Sequence, residues 1–218
     1  IITFNEAAAI ERCLGSLPSH DELIVLDSGS TDGTQAICAR FGAKLVQTDW
    51  PGFGPQKNRA LDLARGQWVL SVDADEHFDA KLREAVNACI KAPCADECLA
   101  SAQGSAAEDA QALAPVGYAF RRRSSFAGDY MRFGDWRRDQ VIRLFRRKLG
   151  RFSELAVHES VQLIGKVESL PGFLLHESIR DWQHAMHKAR FYAELSVDRM
   201  RARGPVGPVR GVFHASWT

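Results

Sequence analysis

The chain has 218 residues, of which 45% are hydrophobic and 25% charged, with a formal net charge of +1. Such a composition suits one large globular domain or two small ones with a real core. No stretch reaches the ~18 consecutive apolar residues of a membrane-spanning helix and no leader marks secretion, so a cytoplasmic location is expected. The five cysteines are odd in number and lack paired Cys-x-x-Cys spacing, which favours free thiols over a zinc site or a disulfide framework. The chain opens without Met, inside an apparent strand, and stops just past an apolar patch, as though both ends were cut.

The first ninety residues alternate strand and helix patterns at short intervals. Ile1 to Phe4 reads as a strand, and Glu6 to Leu17 as a helix with Ala9, Ile10, Cys13, Leu14 and Leu17 on one face. A strand follows over Leu23 to Leu26. Ser28 to Thr34 supplies turn and N-cap chemistry for a helix reaching Phe41, Lys44 to Gln47 is a third strand, and Gln56 to Ala64 a third helix. Trp68 to Val72 is a buried strand running into Asp73-Ala74-Asp75-Glu76, and Asp79 to Lys91 is helical. This order predicts an α/β fold with a mostly parallel central sheet and helices on both faces, binding its ligand beyond the C-terminal strand ends. Residues 92–115 read as a variable insertion, Gly117 to Arg123 as a strand, and Asp181 to Arg203 as an amphipathic helix. From Arg121 to Arg151, ten arginines and one lysine oppose three aspartates, and interleaved aromatics favour contact with something anionic.

Four short motifs stand at loops around strand ends: Thr3-Phe4-Asn5-Glu6, Asp27 to Asp32, Gly52 to Asn58, and Asp73-Ala74-Asp75. Taken singly each has a plain structural explanation, with Asn5 and Asp32 as helix caps and Lys57 as an exposed helix lysine. Their convergence on one sheet edge argues for a site. Two carboxylates two residues apart at the end of a buried strand suit a divalent cation held against a diphosphate.

The set Asn5-Glu6, Asp27-x-x-Ser30-Thr31-Asp32-x-Thr34, Gln56-Lys57-Asn58-x-Ala60 and Asp73-x-Asp75 resembles family 2 inverting glycosyltransferases of the GT-A fold. Gly134-Asp135-Trp136, Asp139, Arg143 to Arg147, Val157-His158-Glu159 and Leu175-His176-Glu177-Ser178 resemble, in order, the bacterial lipopolysaccharide core glucosyltransferases. Arg137-Arg138 depart from that subgroup, which has an aromatic-Pro pair there. The resemblance implies a Rossmann-like nucleotide-sugar half over 1–91, an insertion over 92–115, an acceptor and catalytic half over 116–180, and a C-terminal helix and tail over 181–218. It implies transfer of a hexose, glucose from UDP-glucose, to a heptose-containing core acceptor. Thr3, Asn5, Glu6, Asp27, Ser30, Asp32, Lys57 and Asp73 would hold the nucleotide. Asp75 would be the principal ligand of Mg²⁺ or Mn²⁺, with Asp73 and either His158 or His176 completing the shell.

Inversion needs one carboxylate to take the acceptor hydroxyl's proton. Asp139, four residues before Arg143, is the first candidate, and Glu159 the second. The arginine block would meet an anionic glycolipid acceptor and bring peripheral contact with the cytoplasmic face of the inner membrane. No nucleic-acid module is visible. Rival readings are the head of another family 2 polysaccharide or polyprenyl-phosphate sugar transferase, a non-catalytic nucleotide-sugar-binding module, and a haloacid-dehalogenase-type phosphatase. That phosphatase motif lies near the N-terminus and continues with Thr or Val, where this chain has three strands before the motif and Glu76 after it.

Overall fold

The computed structural model describes residues 1–91, 114–131, 139–154, 159–186, 188–190 and 193. Two compact units are present, Ile1–Arg180 and Asp181–Thr218. In the second unit, residues 182–186 and 188–190 are helical, and most of the helix expected over 181–203 lies outside the described residues, as do 92–113 of the expected insertion.

The first unit begins with three parallel strands, β1 (Ile2–Thr3), β2 (Ile24–Asp27) and β3 (Lys44–Gln47), ordered β1-β2-β3. Their register aligns Thr3 with Asp27 and Asp27 with Gln47, so the C-terminal ends are level. β2, flanked on both sides, is apolar until its last residue and buries Val25 and Leu26 completely. Helix α1 (Ala7–Ser16) buries Ala9, Ile10, Cys13 and Leu14, four of the five residues expected on its apolar face. α2 (Thr34–Arg40) and α3 (Phe53–Leu63) follow β2 and β3. α3 starts three residues before the expected Gln56, because Gly52, at φ 111, makes the entry turn.

Seven of the remaining strands form a mixed sheet. Its path is β4 (Trp68–Leu70), β8 (Gln140–Arg146), β6 (Gly117–Phe126), β12 (Leu174–Ile179) and β5 (Glu76–Phe78), with β11 (Val167–Ser169) and β7 (Asp129–Tyr130) also paired to β6. Here the expectation of a mostly parallel sheet is corrected. β4 and β6 both run antiparallel to β8, and β5 antiparallel to β12, so parallel pairing dominates only the first three strands. An apolar run such as Trp68–Val72 says nothing of its neighbours' direction, and β4 within it is a half-buried strand at the end of the sheet path, paired among the described residues only with β8. A parallel bridge between Ile2 and Asp73 joins the two sheets. Residues 73–76 make a tight turn, Glu76 N–H to the Asp73 carbonyl at 3.0 Å, and the chain leaves it as β5 before α4 (Ala80–Lys91). That short strand is absent from the sequence pattern.

Asp79 caps α4 through the Leu82 amide and also accepts the Phe173 N–H, tying β12's approach to the helix. Gly172, at φ 103, is required there, since a Cβ would lie 2.3 Å from the Leu82 nitrogen. The main core joins Cys13, Val72, Phe78, Leu82, Val86, Phe120, Leu144 and Leu174 between α1, α4 and the mixed sheet. A second cluster, Ile10, Leu14, Val25, Cys38 and Ala74, lies beneath the parallel strands. A third packs Leu61 of α3 on Phe145 and on Phe152 of β9 (Gly150–Phe152), which pairs with β10 (Val161–Leu163). Cys13, Cys38 and Cys89 are free thiols.

Candidate active site

The level ends of β1 and β2 and the bridge at Asp73 bring three of the four motifs side by side, and α3 delivers the fourth. Consecutive helical residues diverge by about 100°, so the buried run Gln56, Lys57, Asn58 reaches three ways. Gln56 donates to Thr48 Oγ1 at 2.6 Å and Ser28 Oγ at 3.2 Å, anchoring the helix to the loops after β2 and β3. Asn58 exchanges hydrogen bonds with the Phe152 backbone, both at 3.0 Å, and donates to Glu154. Lys57 enters the site at 3% exposure, so it is not the exposed helix lysine that its position alone suggests.

Lys57 Nζ lies 2.7 Å from Asp73 Oδ1 and 2.5 Å from Glu159 Oε1. The other oxygen of Asp73 is 2.5 Å from Arg143, whose guanidinium also meets Glu76 Oε1 at 2.6 Å. Glu76 is completely buried, accepts the Asp73 amide, and faces Arg122 at 3.5 Å, which in turn holds Asp139 at 2.7 Å. Seven charges thus alternate without a break: Glu159, Lys57, Asp73, Arg143, Glu76, Arg122, Asp139. Burial alone would raise the Asp73 pKa, but Arg143 and Lys57 outweigh it and hold the carboxyl well below its ordinary range. Burial would likewise lower Arg143, yet Asp73 and Glu76 hold it above its usual value, a permanent cation.

Asp75 stands apart from this chain. Its Oδ2 is 3.3 Å from His176 Nε2, and both side chains are largely buried, at 16% and 15% exposure. The β12 register sets His176 against Glu76 on one side and Ser124 on the other, and the Glu177 N–H closes onto the Asp75 carbonyl at 2.9 Å. A carboxylate and an imidazole converging in this way fit a divalent cation whose other positions are filled by ligand oxygens and water. Among the described residues no group of three or more His, Cys, Asp or Glu could hold a metal ion. Asp73, with each oxygen already on a cationic side chain, is the poorer of the two aspartates for this purpose. His158 lies outside the described residues.

The nucleotide candidates divide by what their polar atoms already do. Thr3 is buried at the end of β1 with its hydroxyl unpartnered. Asp27 is fully buried and accepts from the Gly29 and Ser30 amides, the Ser30 hydroxyl and Gln35 Nε2, which uses about all four acceptor positions of a carboxylate. A base N–H would therefore displace Gln35 or the Ser30 hydroxyl. Asn5, in the left-handed region at φ 54, accepts the Thr31 amide and donates its own amide to Ser30 Oγ, both at 2.8 Å. Asp32 accepts from Ala7 N–H at 3.0 Å and from the Thr34 hydroxyl at 2.5 Å, while Thr34 accepts the Glu6 amide. Asn5 and Asp32 therefore staple the first two strand-helix loops together, and Asp32 caps α1 from across the gap, where the side chain of Glu6 at the cap position makes no capping bond. Burial opposes the result, but the Thr34 hydroxyl and Ala7 amide hold the Asp32 pKa below its ordinary value. Glu6 lies 3.7 Å from Arg180.

Motif reading thus found both ends of the charge chain together with Lys57 and Asp73, and missed Glu76, Arg143, Arg122 and Ser124 as site components. Arg143 did carry a signal: it is a cation in the middle of an apolar strand, Val141-Ile142-Arg143-Leu144-Phe145, where a charge needs a partner.

A parallel sheet edge with a buried helical lysine, a paired aspartate and an acidic turn makes a candidate ligand site at the C-terminal strand ends of an α/β protein. Residues 1–149 match the family model described as glycosyl transferase family 2, and the chain belongs to that family. It is 30% identical over 203 residues to the uncharacterized glycosyltransferase RT0209 of Rickettsia typhi, covering 88% of this chain and 64% of that protein. To the lipopolysaccharide core biosynthesis glycosyltransferase LpsC of Rhizobium meliloti it is 30% identical over 211 residues, 94% of this chain and 71% of that one. The chain thus spans about two thirds of the length of these relatives. The fold resembles that of S. aureus TarS 1-349, with a TM-score of 0.51 at 17% identity, covering 81% of this chain and 59% of that structure.

Proposed function

We propose that this chain transfers a hexose, glucose from UDP-glucose, with inversion to a hydroxyl of a heptose-containing lipopolysaccharide core acceptor. The observation that carries the reading is the meeting of Thr3, Asp27, Lys57, Asp73 and the Asp75–His176 pair at one sheet edge. The name of the LpsC relative supports the acceptor class. In this reading Thr3 and Asp27 take the nucleoside, and the unpartnered Thr3 hydroxyl gains an acceptor or donor there. Lys57 faces the base or the diphosphate, and Asp73, held by two cations, faces the ribose. Asp75 and His176 would hold Mg²⁺ or Mn²⁺, which when bound neutralises charge on the departing diphosphate.

Asp139 takes the acceptor hydroxyl's proton as that oxygen attacks opposite the leaving UDP. It is the more open of the two candidates, with 29% of its side chain exposed against 15% for Glu159, whose carboxylate is held on buried Lys57. Residues 1–91 would serve the donor and 116–180 the acceptor, with the arginines facing a phosphorylated glycolipid. Asp75→Ala is expected to abolish cation-dependent UDP binding and transfer, whereas Asp139→Asn keeps UDP binding and loses transfer. Near-normal turnover in Asp139→Asn would move the base to Glu159. Mass spectrometry of UDP-, GDP- and ADP-sugars against heptose-containing acceptors tests donor and acceptor together, and glucose transfer only from another nucleotide would sink the donor assignment.

A further inference from the structure

His176 is gripped at both ring nitrogens. Nε2 faces Asp75 at 3.3 Å, and Nδ1 lies 2.9 Å from the hydroxyl of Ser124, a residue of β6 that is only 8% exposed. The parallel register of β6 and β12 places Ser124 directly opposite His176, so the contact is set by the ladder rather than by a mobile loop. We propose that Ser124 is the positioning residue of the cation site: its hydroxyl orients the His176 ring so that Nε2 presents a lone pair beside Asp75. This rests on the reading of Asp75 and His176 as cation ligands.

The choice of a hydroxyl has a specific use. A neutral imidazole carries one proton. In the tautomer with its proton on Nε2, that N–H faces Asp75 and the bare Nδ1 accepts from the Ser124 O–H. A cation held beside Asp75 would need the Nε2 lone pair, which would leave the proton on Nδ1 to be donated to Ser124 Oγ. A hydroxyl serves both arrangements by rotating about one bond, whereas a backbone carbonyl would accept only and hold the ring in one tautomer.

The test is Mn²⁺ affinity measured in the presence of UDP, together with UDP affinity without cation. Ser124→Ala is expected to weaken Mn²⁺ binding by about tenfold, the lower end of the effect of such supporting partners, with cation-free UDP binding unchanged. Ser124→Thr, which keeps the hydroxyl, restores it. In the wild type, the ¹⁵N shifts of His176 should move the proton from Nε2 to Nδ1 on adding Mg²⁺ and UDP. Should Ser124→Ala bind Mn²⁺ as tightly as wild type while Asp75→Ala does not, the positioning role falls and the cation site stands. Should Ser124→Thr lose as much as Ser124→Ala, or the His176 proton stay on Nε2, the hydroxyl account falls. Undiminished Mn²⁺ binding in Asp75→Ala overturns the cation site itself.

Discussion

Asn5 sits in a left-handed backbone conformation and gives its side chain to a neighbouring loop. Asparagine tolerates that conformation far better than a β-branched residue. Asn5→Val should therefore cost about 2–3 kcal/mol, combining backbone strain of about 1–2 kcal/mol with a lost hydrogen bond of about 1 kcal/mol, read from urea unfolding. Asn5→Asp, which keeps both the acceptor and the tolerance, should cost far less. Asp73 makes a prediction about pH. Its folded carboxyl titrates below the unfolded value of about 3.9, so the unfolded chain takes up the proton first as pH falls. The stabilisation is fully present above about pH 5 and is lost progressively as acid carries the protein down towards the folded value. Urea midpoints between pH 7 and pH 3 should show this fall in the wild type and a shallower one in Asp73→Asn. Sequence alone exposed Asn5 and Asp73 as members of motifs. It did not show that Asn5 works on a loop and Asp73 on two cations, because the Thr31 amide lies 26 positions from Asn5, and Lys57 and Arg143 come to Asp73 from a separate helix and from a strand 70 positions away.

Among the elements, α1 and β2 were readable because each has a single demand: α1 buries one face against a sheet, and β2 is covered on all sides. β5 was not, since three residues following a turn are too few for any periodicity to emerge. Strand direction in the second half was equally hidden, because β6 meets β8 antiparallel and β12 parallel within the same ten residues. α4 is held to the mixed sheet by Leu82 and Val86, at 0% and 1% exposure. Leu82→Ala should destabilise the protein by about 2–5 kcal/mol, the cost of the lost methyls and the cavity left behind. An exposed change on the same helix, Lys81→Ala, should stay within about 0.5 kcal/mol. Equal losses in the two variants' denaturation curves would show that α4 is not anchored through its core face.

At the scale of the molecule, the two larger sheets of the first unit are joined by a bridge at Asp73 and by a run of opposite charges that crosses the same seam. Arg143 is the shared member, and removing it leaves half-buried Asp73 and fully buried Glu76 facing one another. Arg143→Ala is expected to cost about 3–5 kcal/mol, as loss of one partner from a buried pair does, and to weaken UDP binding as well, since Asp73 loses half its support. A variant that unfolds at the wild-type urea concentration would mean that the two carboxylates are held by something else. The odd count in that run, four carboxylates to three cations, has an evolutionary reading. No internal member can be replaced alone without leaving two like charges in contact, so positions 57, 73, 76, 122 and 143 are free to change only in concert. In relatives where Arg143 has become neutral, Glu76 should have lost its charge too, and the two sheets that meet at this seam should carry the mark of having drifted together.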